Sequence, residues 1–291
     1  MMDKSENKKF AYYPGCSLKG SAGEFDESVR SVFEELGITL EEIPDWNCCG
    51  ATSAHNLSRD LALSLSLRNL AIAEPSGLDV VAPCASCYNR LKVAEATVLG
   101  DADTKKRIEK IIERKFNGDI TTLNGLDLLV DHIGMDKVRS RVTRKLEGLK
   151  VVSYYGCLLV RPRKLLGVQE ADNPMALDDL MEALGAEPKF WSFKTDCCGA
   201  GHALSRTDIV CNLVGNLQKM ALEAGAEAIV TACPMCHANL DMRQSDSMTR
   251  VPVFFFSELM ALAMGKDREA KKWIGKHHVP AVPLFEKLGL L

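Results

Sequence analysis

Ten of the eleven cysteines in this 291-residue chain form two matching sets of five, and whatever fold the chain adopts must bring each set together. Each set has the same order: a lone cysteine, a distant tandem pair, then a Cys-x-x-Cys. The first is Cys16, Cys48 and Cys49, and Cys84 with Cys87. The second is Cys157, Cys197 and Cys198, and Cys233 with Cys236. The spacing from the tandem pair to the Cys-x-x-Cys is identical in both. The flanking residues repeat as well. YYPGC at Tyr12 answers YYGC at Tyr154, NCCGA at Asn47 answers DCCGA at Asp196, and VVAPCASC at Val80 answers IVTACPMC at Ile229. Even TTLNGLDLL at Thr121 reads as a worn copy of VFFFSELMAL at Val253. A unit this long, found twice, indicates a duplicated domain rather than a solenoid. The expected division is residues 1–149, a first domain with a helical connector, and 150–291, a second domain.

Each copy alternates β-rich runs with helical periodicity. Phe10 to Tyr13, Ile38 to Ile43 and Asp79 to Val81 predict strands in the first half. Lys150 to Tyr154, Glu187 to Phe193 and Ala226 to Thr231 predict them in the second. Between the first two strands Phe25, Val29, Val32, Phe33 and Leu36 form one apolar helical stripe, with Gly37 suited to its C-terminal cap. The alternation predicts two α/β domains with mainly parallel sheets, related by a pseudo-two-fold. Each cysteine cluster then sits where a strand ends and a helix begins, the usual place for a site on such a sheet. Helix N-termini there direct N–H groups at an anionic ligand. From 101 to 150 the chain is charged and helical, with Ile108, Ile111, Ile112 and Phe116 expected on one face of a covering helix.

The opening MMDKSENKKF lacks the apolar core of a secretory signal, and no run reaches the roughly 18 apolar residues of a membrane span. The stretch VPVFFFSELMALAM comes nearest, but Ser257 and Glu258 interrupt it, so it reads as a buried strand followed by a helix. A cytoplasmic location is therefore expected, where clustered cysteines serve metals or catalysis rather than disulfides. With 36 basic and 39 acidic residues mixed along the chain, no basic stripe for nucleic acid is present.

Five thiols per set is more than a structural zinc needs, since zinc takes four ligands in a tetrahedron. Side chains of adjacent residues diverge, so each Cys-Cys pair reaches two different metals more readily than one. That favours a polynuclear iron–sulfur cluster, with Gly50 and Gly199 letting backbone approach it. The competing reading is a zinc site with a spare thiol in each half. A cubane [4Fe–4S] cluster also uses four thiolates, so either one cysteine per set is a spectator or the cluster is not a simple cube. Cys211, in a predicted helix with Ile209, Leu213 and Leu217, reads as an ordinary core residue. No glycine-rich dinucleotide fingerprint, flavin motif or ferredoxin-type cysteine run is present, so electrons are expected from a partner protein.

A lone Cys, a Cys-Cys-Gly and a Cys-x-x-Cys, twice over, resemble the cysteine-rich CCG domain. Two such domains filling a chain of this size resemble the B subunit of heterodisulfide reductase, the likeness covering nearly the whole chain. The spacing between Cys-Cys and Cys-x-x-Cys is slightly shorter than is usual there. The resemblance implies two non-cubane [4Fe–4S] clusters with five cysteine ligands each. Carried over by motif, Cys16, Cys48, Cys49, Cys84 and Cys87 hold one, and Cys157, Cys197, Cys198, Cys233 and Cys236 hold the other. It further implies the catalytic subunit of methanogenesis-type complexes, reducing the coenzyme M–coenzyme B heterodisulfide or a related disulfide to two thiols. The implied partners are an iron–sulfur C subunit and a flavin- and iron–sulfur-bearing A subunit. Reducing a disulfide consumes two electrons, and two clusters facing each other would supply one each. The alternative from the same resemblance is an electron-transfer iron–sulfur subunit of a CCG-containing dehydrogenase or bifurcating complex.

His55, His202 and His237 lie close to cluster cysteines and are candidate proton donors, or else satisfied core groups. Lys19, Arg161, Arg163 and Lys164 could offset cluster charge or hold an anionic substrate, although charge runs are more often solvated faces. His277 and His278 lie in a Pro-flanked tail and read as structural. Anaerobically purified protein is expected to carry about eight irons and eight sulfides per chain, as two [4Fe–4S] clusters require. Metal analysis returning mainly zinc would contradict this.

Overall fold

The computed structural model describes residues 8–291, and the first seven residues of the polar opening segment lie outside them. The first half forms β1 (Lys8–Tyr12), β2 (Ile38–Glu42), β3 (Val80–Val81) and β4 (Thr122–Leu123). The second forms β5 (Lys150–Tyr154), β6 (Glu187–Pro188), β7 (Ala228–Thr231) and β8 (Val253–Phe255). Every pairing is parallel, and the strand orders, β2-β1-β3-β4 and β6-β5-β7-β8, are the same. Parallel neighbours require crossover connections, and helices covering the sheet faces make their strands near-continuous apolar runs. Val151, Val152 and the whole of β7 and β8 are accordingly buried.

The helix Gly23–Glu35 buries the predicted stripe of Phe25, Val29, Val32 and Phe33, and Gly37 ends it at φ +76° with its N–H on Glu34 O. The worn repeat is real in structure. β4 and β8 occupy the same sheet position, and each leads into a helix capped by an early side chain. Asn124 Oδ1 accepts from Leu126 N and Asp127 N, while Glu258 Oε2 accepts from Phe255 N at 2.9 Å.

Three expectations are corrected. β6 is two residues long instead of reaching Phe193, because after Lys189 the chain turns inward and Trp191 Nε1 donates to Ser153 O at 2.9 Å. In the connector, the helix ends at Ile112 and buries Ile108, with Phe116 buried beyond it, but Ile111 lies 54% exposed. Ile111 sits three positions from Ile108 yet about 100° round from Ile112, off the buried edge. Cys211 is exposed because the helix Thr207–Glu223 buries Val210, Val214, Leu217 and Ala221, a stripe that passes one residue to its side.

The two halves pack through aromatic and hydroxyl contacts. Phe25 stacks on Phe255 at 4.2 Å and 9° between planes, meets Phe256 edge-on, and Ser28 Oγ lies 2.7 Å from Ser257 Oγ. Gly125 completes the joint, since a Cβ there would come within 3.1 Å of the Phe256 ring. The tail closes over the same seam: Trp273 Nε1 donates to Glu27, and the buried His277 Nε2 lies 3.0 Å from Glu258 Oε1. Burial opposes charge on His277, but Glu258 outweighs it and raises the pKa. That stability is fully present below the unfolded imidazole's pKa and is lost as pH rises through the raised folded value.

Phe25→Ala removes a fully buried ring from this seam and is expected to cost about 3–5 kcal/mol in denaturant unfolding. A cost no larger than that of a surface substitution would show that the stack does not hold the halves together.

Candidate functional site

The strand ends deliver the cysteines. After β1 the chain passes Tyr13, Pro14 and Gly15 to Cys16, and after β5 it passes Tyr155 and Gly156 to Cys157. Gly15 and Gly156 adopt φ +67° and +65°, in the left-handed region that glycine alone occupies without cost. Contact forbids a side chain too: a Cβ would fall 2.7 Å from Cys87 Sγ at Gly15 and 3.0 Å from Cys236 Sγ at Gly156. Tyr13 and Tyr154 then fix the tandem pairs. Their hydroxyls donate to Asn47 O at 2.7 Å and Asp196 O at 2.6 Å, the carbonyls just before each Cys-Cys. Cys84 and Cys233 are the N-caps of the helices Ala85–Gly100 and Pro234–Met242, which carry Cys87 and Cys236 one turn in.

The thiols meet in the same pairs in both halves. Cys16 lies 3.8 Å from Cys48 and Cys49 3.5 Å from Cys87, while Cys157 lies 4.0 Å from Cys197 and Cys198 3.6 Å from Cys236. Adjacent cysteines therefore reach different partners, as diverging side chains predict. All these thiols are free, at separations far beyond the ~2.05 Å of a disulfide. Among the described residues no three His, Cys, Asp or Glu side chains close around one ion position; the sulfurs converge as pairs. Backbone donors point at them, Gly50 N to Cys48 Sγ at 3.4 Å and Gly199 N to Cys197 Sγ at 3.3 Å.

Protons are unevenly shared within each set. The neighbouring Cys49 thiol, then burial, pushes Cys48 up, and Cys48 followed by Cys87 pulls Cys49 down. Cys157 is pushed up and Cys197 pulled down by the bond between them. Across the boundary Cys233 is the largest influence raising Cys84, and Cys233 itself is lowered first by Cys236 and next by Cys84. Cys84 and Cys233 thus influence each other's ionisation across the boundary. Thiolates this close need positive charge among them to ionise together, and soft sulfur donors select zinc, copper(I) or iron–sulfur centres. The donor set fits an iron–sulfur cluster in each half.

A cavity of about 200 Å³ opens at the domain boundary. Cys157, Cys197, Cys198, Cys233 and Cys236, the whole second set, border it and face residues of the first half, among them His55, Ser86 and Arg90. His55 is exposed on this wall, its pKa lowered by burial and by Arg90. His202 is exposed in the turn after Cys198 and acts electrostatically on Cys197. His237 lies in the core, stacked on Phe255 at 4.2 Å with Nε2 3.0 Å from Val253 O, and burial then His277 drive its pKa down to about 3. Lys19 is spent on Glu42 at 2.8 Å, and Arg163 on the carbonyls of Val168 and Gln169. Lys19, Arg161, Arg163 and Lys164 do not line the cavity; its cation is Arg90. Sequence reasoning passed over Arg90, though its place three residues after Cys87 on one helix was the available signal.

Residues 10–92 and 151–241 match the family of the cysteine-rich CCG domain. The chain is 32% identical over 267 residues to the 8-methylmenaquinol:fumarate reductase membrane anchor subunit of Wolinella succinogenes, covering 89% of this chain and 93% of that one. It is 29% identical over 280 residues to a heterodisulfide reductase B-subunit-like protein of Archaeoglobus profundus, covering 90% and 92%. The crystal structure of a hypothetical protein from Helicobacter pylori matches 94% of the chain with a TM-score of 0.70 at 11% identity. This chain spans 52% of that structure, and the likeness shows the fold alone. Among the described residues no helix is long and apolar enough to cross a membrane.

Gly15→Ala and Gly156→Ala are each expected to lower bound iron per chain, with Gly77→Ala as control. Gly77 also has φ +66° but open space around it, so it carries the same backbone strain without the sulfur contact. Equal iron in all three would detach these glycines from the site.

Proposed function

The chain belongs to the CCG cysteine-rich-domain family, with two copies of the domain, and from this we propose that it is the disulfide-reducing iron–sulfur subunit of a heterodisulfide reductase-type complex. The observation that carries the reading is the boundary cavity, walled by the second set of five cysteines on one side and by His55, Ser86 and Arg90 on the other. Each set of five would hold one non-cubane [4Fe–4S] cluster, and the bound clusters supply one-electron redox chemistry. The chain's own residues do the rest. Ala51, Ala85, Leu158 and Met235 give the cavity apolar walls that receive a disulfide and exclude water. Cleaving R–S–S–R′ takes two electrons and two protons and gives RSH and R′SH. The electrons come from partners, expected to be an iron–sulfur C subunit and a flavin- and iron–sulfur-bearing A subunit in the cytoplasm. His55, exposed on the cavity wall, is placed to pass protons between solvent and the leaving sulfurs. The buried His237, its Nε2 held at Val253 O, is suited to packing.

A second reading has a specific observation behind it. The Wolinella relative is named as a subunit of a methylmenaquinol:fumarate reductase. By that likeness this chain would pass electrons between a quinol-oxidising and a reducing unit, with no disulfide bound.

Cys49→Ala and, separately, Cys198→Ala distinguish the two. With reduced viologen as donor and a small disulfide as acceptor, the intact protein is expected to turn over and either variant to lose that activity. Iron content is measured alongside, since losing one of several metal bonds can leave iron in place. Activity retained in one variant whose own half lacks iron would favour the electron-transfer reading. A fully iron-loaded wild-type protein inert toward disulfides would do the same.

A further inference from the structure

The boundary cavity holds two hydrogen-bond donors with no adequate acceptor. Ser86 and Arg90 stand four residues apart in the helix Ala85–Gly100, so they share one helical face, and both line the cavity. Ser86 is 3% exposed, and among the described residues its hydroxyl meets only Met235 Sδ, at 3.4 Å. A thioether sulfur is a weak acceptor, so the hydroxyl's donor capacity is almost unused. Arg90 Nε is buried without a hydrogen-bond partner, and among the described residues no carboxylate pairs with the guanidinium. No Asp or Glu lines the cavity either. A cation drawn out of water is ordinarily compensated by a partner, because leaving it unpaired is costly.

The second half has no counterpart to this pair. At the positions equivalent to Ser86 and Arg90 it carries Met235 and Asn239. Met235 is apolar. Asn239 is committed to its own domain, its amide nitrogen 3.2 Å from Cys198 O and its oxygen accepting from Arg243 Nη1 at 3.1 Å. The cavity is therefore one-sided, with the under-used donors on the first half's wall and the second set of cysteines with Met235 on the other.

We propose that Ser86 and Arg90 form an oxyanion subsite, so that the disulfide taken here carries an acidic group on the arm lying against the first half. The inference rests on the disulfide-reducing reading above and names the class of its substrate. A guanidinium presents a fork of N–H donors that matches the two oxygens of a carboxylate, and the Ser86 hydroxyl adds a donor one turn away. With the acid held there, the sulfur–sulfur bond is directed at the opposite wall, where the second set of cysteines stands. Ser86 and Arg90 act on specificity.

The test uses the anaerobically purified, iron-loaded full chain, reduced viologen, and three disulfides of similar length: anionic dithiodipropionate, neutral dithiodiethanol and cationic cystamine. The wild-type chain is expected to give its highest kcat/KM with dithiodipropionate. A cavity lined by ionised sulfur and lacking this subsite would instead favour cystamine. Arg90→Gln should lower the preference for dithiodipropionate over dithiodiethanol roughly ten- to a hundredfold, as expected for hydrogen bonds to a charged group. Arg90→Lys, which keeps the charge but loses the fork, should fall between. Ser86→Ala should lower the preference by a smaller factor, and it tests the subsite even if Arg90→Gln loses iron. Calorimetry with the non-reducible thioethers thiodipropionate and thiodiethanol should show the same order without electron transfer. Equal losses of kcat/KM for all three disulfides in Arg90→Gln would show that the guanidinium only balances charge at the metal site, and would overturn the proposal. A wild-type preference for dithiodiethanol or cystamine would do so too. An iron-loaded chain that binds thiodipropionate but reduces no disulfide would overturn the reductase reading and leave the anion subsite in place.

Discussion

Sulfurs held 3.5–4.0 Å apart in pairs repel one another as soon as they ionise. Two unit charges at about 4 Å oppose each other by about 4 kcal/mol at an effective dielectric of 20. Everything near the site serves to keep these groups together against that repulsion. Parallel strands end at one edge, Gly15 and Gly156 let the turn pass against Cys87 and Cys236, and Tyr13 and Tyr154 clamp the tandem pairs by their preceding carbonyls. Burial, then the nearby thiols, raises the pKa of both tyrosines, so the hydroxyls stay protonated and remain donors.

Duplication makes the same cysteine arrangement twice and then joins the copies close to it. The Phe25–Phe255 stack and the Ser28–Ser257 contact hold the halves at their aromatic seam. Asn89 Nδ2, two residues after Cys87, donates to Leu158 O at 2.8 Å, just after Cys157, and so ties the two sites directly. Cys84 and Cys233 influence each other's ionisation across the same boundary. The copies have diverged around the cysteines while the cysteine pattern stayed the same.

The cysteine pattern made the site legible in the sequence because ligand identity and spacing are local facts that the fold only has to satisfy. Both sheets were legible for the same reason, including β4 and β8 behind the worn TTLNGLDLL and VFFFSELMAL pair. What the residues alone left hidden depended on tertiary direction. Whether Cys211 faces in or out is decided by which stripe of Thr207–Glu223 meets the sheet, and its neighbour Val210 takes the buried place. The run after Glu187 has strand composition, yet the hydrogen bond from Trp191 to Ser153 pulls it away from the ladder. Arg161, Arg163 and Lys164 stand close to Cys157 in sequence but off the cavity, while Arg90 reaches it from another domain. Proximity along the chain was a poor guide to charge at the site, and helical phase relative to Cys87 was the better one.

The central claim is that each set of five cysteines surrounds its own iron–sulfur centre. Anomalous diffraction at the iron edge, from crystals of the anaerobically purified protein, measures that directly. Two separate groups of iron atoms are predicted, one bonded by Cys16, Cys48, Cys49, Cys84 and Cys87, the other by Cys157, Cys197, Cys198, Cys233 and Cys236. A signal at the zinc edge instead, from a single ion in each half with four thiolates and one cysteine left free, would contradict it.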